Sequence, residues 1–192
     1  MNSVELLFDY FEDHVKATGA IVERKPVALG VLCFMIGGAS VFVAQGLADR
    51  LTLFSFSWAA CLMSLIWKVG AGFLLAAVVH SVLEMGGAAG SVSALFVLFG
   101  MADLVWALAI PLLLIARAFS SGSSWFVTVV FLAVGLYAVV LKVRGIQDAY
   151  HVTPGRAWTS ISLPYIVIVA GTLVVVSLAV ADLVMKVLHT VR

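Results

Sequence analysis

Charged side chains are scarce. Lys, Arg, Asp and Glu make up 11% of the 192 residues, against 64% apolar ones. A soluble bundle of this size needs polar surface to face water, and so few charges cannot supply it. The net charge of +1 leaves no basic field to hold nucleic acid, whose binding rests on clustered Lys and Arg. The two cysteines, Cys33 and Cys61, both lie inside apolar runs. Thiols in such surroundings behave as small hydrophobes, so neither a disulfide nor a thiolate metal site is expected. A basic leader is also missing: Glu5, Asp9, Glu12 and Asp13 stand where the cationic start of a cleavable signal would be.

What the chain has instead is apolar runs, each approaching the ~20 residues that cross a bilayer. The expected fold is an all-α, polytopic transmembrane helical bundle of about five spans with an N-terminal amphipathic helix. Residues 1–25 form that helix and its linker, and residues 26–192 the membrane domain. The spans are placed at Val27–Leu47, Ser57–Leu83, Val92–Ala116, Phe126–Leu141 and Trp158–Leu183. Thr52–Phe56 is read as an interfacial lead-in, Glu84–Gly90 and Ser120–Ser124 as turns, and Lys142–Arg156 as a polar loop. Small residues in the first span (Gly30, Gly37, Gly38, Ala39 and Ser40) allow the close backbone approach by which helices pack in lipid.

Within Asn2–Thr18, Val4, Leu7, Phe8, Phe11 and Val15 share one helical face. Asn2 with Glu5 fits a capping box. The stripe is expected to dock on the bundle through Phe8 and Phe11, with partner recognition as the alternative. Counting Lys and Arg near span ends puts six (Lys16, Arg24, Lys25, Lys142, Arg144, Arg156) on the N-terminal side. Four (Arg50, Arg117, Lys186, Arg192) fall on the other, which favours a cytoplasmic N-terminus in an inner or plasma membrane.

Two stretches, His80-Ser-Val-Leu-Glu-Met-Gly-Gly-Ala-Ala-Gly90 and Val143-Arg-Gly-Ile-Gln-Asp-Ala-Tyr-His-Val-Thr-Pro-Gly-Arg-Ala157, together resemble Yip1-domain membrane proteins. The first resembles that family's His-containing helix end and Gly-Gly turn, the second its loop between the last two spans. The resemblance implies a short N-terminal segment followed by about five spans, of the short prokaryotic type. It also implies a non-enzymatic scaffold or adaptor whose partners are the lipid bilayer and other membrane proteins or further copies of itself.

Ionisable groups inside a membrane are the default pointers to function. The candidates are Lys68, His80, Glu84 and Asp103, with Asp182 near the end of the last span, and Asp148 and His151 in the polar loop. Lys68 is expected to pair with Asp103 on the adjacent span or else to snorkel beside Trp67. His80 and Glu84, four apart, share a helix face, a spacing able to serve a metal or proton relay if Asp103 supplied a third group. No matched histidine pair, nucleophile with partners or phosphate loop is present, so no enzyme activity, cofactor or metal is expected. The alternative function is a small oligomeric transporter or channel using Lys68, His80 and Asp103.

Overall fold

The computed structural model describes residues 3–48, 57–119 and 124–190. Helices α1 (Ser3–Glu12) and α2 (His14–Arg24) precede α3 (Val27–Leu47), α4 (Trp58–Met85) and α5 (Val92–Asp103). A 3₁₀ turn (Leu104–Leu108) joins α5 to α6 (Ala109–Phe119), and α7 (Ser124–Tyr150) and α8 (Pro154–Thr190) complete the bundle. There is no strand among the described residues. Among the described residues, five segments are long and apolar enough to cross a membrane: α3, α4, the α5–α6 rod, α7 and α8 to Ala179. The chain is an all-α, multi-pass membrane bundle.

Local chemistry accounts for the boundaries. Ser57 caps α4 by accepting from the Ala60 N–H at 3.2 Å, as N-cap serines do. The third span does not run as one α-helix: Pro111 has no N–H to give the Ala107 carbonyl, and the tighter 3₁₀ turn covers that stretch. The fourth span is longer than expected. Lys142 does not end it, and α7 runs on to Tyr150, leaving only His151–Thr153 between the last two helices. The lead-in at Thr52–Phe56, the Asn2 cap and most of the Ser120–Ser124 turn lie outside the described residues, as does the Asp182 side chain.

Helix α5 is the axis of the bundle. Every residue from Ala94 to Asp103 is buried, packed by α3, α4, α7 and α2. Its contact with α3 is backbone on backbone. A Cβ on Gly37 would stand 2.5 Å from the Asp103 carbonyl oxygen, and one on Gly100 would stand 2.6 Å from the Gly30 carbonyl oxygen. These positions have no room for a side chain, the arrangement by which small residues pack membrane helices.

The N-terminal segment is two helices, broken at Asp13, whose carboxylate caps α2 by accepting from the Lys16 N–H. It docks by a different face from the one the apolar stripe predicts. Leu6, Tyr10, Ala17, Thr18 and Ile21 are buried, while Val4, Phe8, Phe11 and Val15 are half or more exposed. Docking through Phe8 and Phe11 is therefore overturned. At ~100° per residue Leu6 and Tyr10 lie roughly 120–160° from the middle of the stripe, on the other side of the helix, where Tyr10 reaches the Leu98 carbonyl through a long 3.4 Å hydrogen bond.

Candidate functional site

The glycine pair of α3 sets the site. Gly37 lets α5 close in at Asp103, and the adjacent Gly38 faces the stem of Lys68, whose Cβ and Cγ would lie 3.2–3.3 Å from an added Cβ. Two neighbouring backbone positions thus draw α5 and α4 together at one level. There, Lys68 Nζ is 2.8 Å from Asp103 Oδ2. The expected pair forms. A third member joins it: Lys142 Nζ, from α7, is 2.7 Å from Asp103 Oδ1.

The carboxylate is almost completely enclosed (1% exposed), whereas Lys142 and Lys68 keep 12% and 29%. Both contacts are at hydrogen-bond distance, yet neither Asp103 oxygen has a hydrogen bond of proper direction. They are charge–charge contacts first. Two ammoniums against one carboxylate leave a formal charge of +1. The Trp106 ring lies 5.8 Å from Lys68 Nζ and the Phe99 ring 5.8 Å from Lys142 Nζ, each within cation–π range. Asp103 is eleven residues into its span, about 17 Å by helical rise, which places the cluster near mid-membrane.

Beside the cluster lies a cavity of about 770 Å³ between α4 and α8, with Lys68, Asp103, Lys142 and Phe34 among its lining residues. Its rim is apolar and exposed: Met63, Ile66, Trp67 and Ile168 are all more than half exposed, and Tyr165 is half exposed. The cavity therefore opens sideways, toward the surface that lipid covers.

The other candidates sit at the N-terminal end of the bundle. His80 Nδ1 and the Tyr150 hydroxyl share a hydrogen bond at 2.7 Å, and His80 Nε2 is 3.6 Å from Glu84. Arg156 donates to the Leu83 carbonyl at 3.2 Å. Tyr150 packs on Gly90 and Arg156 on Gly86. The two stretches 80–90 and 143–157 thus fold against each other. Asp103 cannot complete a metal site with His80 and Glu84. It is held by Lys68, twelve residues and about 18 Å of helical rise from His80. Nor do Asp148 and His151 share a loop. Asp148 lies within α7, 3.8 Å from His14 of α2, while His151 is an exposed turn residue at φ 50°.

The His14 contact is not an ion pair near neutral pH. Burial lowers the imidazole below its ordinary value of 6.5, Arg144 adds to that, and Asp148 only partly opposes it. Burial likewise raises the Tyr10 hydroxyl, helped by the negative charge of Asp103.

Lys142 is the member of the ion cluster that sequence reasoning missed, because a lysine after an apolar run reads as the end of a span. One signal was available: the run Phe126–Leu141 falls short of the ~20 residues a span needs. Comparison with known protein families, with curated proteins and with solved structures finds no match.

Proposed function

We propose that the protein is a non-enzymatic membrane scaffold or adaptor of Yip1-like type, with its N-terminus in the cytoplasm of an inner or plasma membrane. The observation that carries this reading is the uncovered stripe Val4, Phe8, Phe11 and Val15 on helices already docked by another face. An apolar stripe left largely uncovered by its own chain, with Leu7 packed on the core and the Phe11 ring edge-on to Tyr10, is what a recognition helix presents to a partner. Two features support the same side of the molecule as the working face: the folded-together stretches His80–Gly90 and Val143–Ala157, and the exposed Met85 and His151 beside them. The test is a photo-crosslinking amino acid at Phe8 in native membranes. A discrete protein adduct, lost when Phe11 and Val15 are changed to Ser, is expected. Adducts to lipid alone would remove the reading.

A second reading, a transporter or ligand-binding protein, is favoured by one observation, the sideways-opening cavity over a cluster of formal charge +1. It retains Lys68 and Asp103 from the sequence-based alternative, gains Lys142 and loses His80, which lies at a different level.

A further inference from the structure

We propose that the cavity between α4 and α8 binds a single-chain anionic amphiphile, with its carboxylate at Lys68 and Lys142 and its alkyl chain along the apolar wall. The proposal deepens the ligand-binding reading of this cavity and does not depend on the adaptor reading.

The first argument is charge. A buried cluster of two ammoniums and one carboxylate carries one positive charge more than it can neutralise, and unpaired charge in hydrocarbon is costly. Asp103 meets each lysine through one oxygen. An ammonium has three donors, so each lysine keeps N–H groups for a second acceptor. One further carboxylate would bring the cluster to neutrality. The second argument is shape. A cavity of about 770 Å³ falls in the range of small-molecule sites, and its lining is mostly apolar with a few convergent polar groups. Phe34, Leu74, Leu75, Val78 and Ile168 offer the wall, and the Tyr165 side chain lies at the same opening.

The third argument is depth. The charged centre lies about 17 Å along its span, roughly half of a ~30 Å hydrocarbon core. The headgroup of a two-chain phospholipid is held at the membrane surface. A single-chain acid can enter hydrocarbon in its protonated, uncharged form, and its carboxyl group can therefore reach mid-depth through the lateral opening, where the two ammoniums favour the carboxylate. Access is consistent with the rim, since Met63, Ile66 and Trp67 are all exposed on the lipid-facing side.

The test uses the full chain purified in a neutral detergent and reads the thermal midpoint against added palmitate, palmityl alcohol, acetate and phosphatidylglycerol. Palmitate should raise the midpoint by roughly 5–10 °C at a hundredfold excess over its dissociation constant, and the alcohol and acetate should not. Lys68→Met, which leaves a one-to-one Lys142–Asp103 pair, should abolish the palmitate shift. Gly70→Leu should do the same with every charge retained. Gly70 lines the cavity, and an added Cβ there meets nothing within 4 Å. Equal shifts from palmitate and the alcohol would overturn the proposal in favour of a purely apolar groove. A shift from acetate equal to that from palmitate would overturn the amphiphile while leaving a small-anion path, and a shift from phosphatidylglycerol alone would assign the site to a phospholipid. No shift from any of the four would remove the cavity as a ligand site.

Discussion

Replacing Asp103 by Asn keeps the shape of the side chain and removes only its charge, so the effect isolates the ion cluster from packing. In the native protein one carboxylate with 1% exposure answers two ammoniums at 2.8 and 2.7 Å. The variant leaves both lysines facing an amide. Removing one partner of a buried ion pair costs ~3–5 kcal/mol. Two lysines are stranded here, but Lys68 is 29% exposed and can relax toward the interface beside Trp67, which returns part of the loss. The expected destabilisation is therefore ~3–5 kcal/mol rather than twice that. At ~2–4 °C per kcal/mol for a chain of this size, the thermal midpoint should fall by about 10 °C. Intrinsic fluorescence of the five tryptophans in detergent reads it directly. The companion variant carries Lys68→Met, Asp103→Leu and Lys142→Met together. It should recover most of the loss, because replacing a whole buried ion cluster by apolar side chains is often neutral or stabilising. A midpoint for Asp103→Asn within about 1 °C of the native protein would refute the reasoning. So would a triple variant as unstable as the single one.

Gly37→Ala should destabilise by ~1–3 kcal/mol, since its Cβ would press on the Asp103 carbonyl, and backbone cannot swing aside. Gly19→Ala in α2, where nothing lies within 4 Å, should instead be neutral or stabilise by up to ~1 kcal/mol; equal midpoints for the two would contradict the packing described. The imidazole of His14 is held below 6.5 by burial, so the docked state favours the neutral form and the undocked segment takes up the proton more readily. Docking of α1 and α2 should be at full strength above about pH 6.5 and weaken as the pH falls through the lowered value. Hydrogen–deuterium exchange of residues 4–24 at pH 7.5 and 5.5 measures this, and His14→Gln should flatten the difference. Single cysteines at Ser3 and Ser123 should be labelled from the cytoplasm and from outside, respectively; labelling of the Ser3 probe only from outside would reverse the orientation.

Length and apolarity alone determined the class. Val27–Leu47 is legible because Pro26 precedes it and Asp49 and Arg50 follow, and the second span begins at Ser57 as its length suggested, with the structure supplying the reason in the Ser57 cap. The pairing of Lys68 with Asp103 was also within reach of the sequence, since a deep cation needs a partner and the neighbouring span offers one acid. Tertiary structure decided the rest. Whether a lysine ends a span or lies inside it depends on a counter-charge on another helix, and no linear pattern shows that Lys142 meets the second oxygen of Asp103. Likewise, helical periodicity marks Val4, Phe8, Phe11 and Val15 as one face but not which way it points. That was settled by Tyr10 reaching α5 and Leu6 being buried with it, which leaves the richer stripe outside. The level at which the charges meet depends on Gly37 and Gly38 as a pair. A glycine permits close approach without naming its neighbour, and only the packed bundle puts the Asp103 backbone against one and the Lys68 stem against the other.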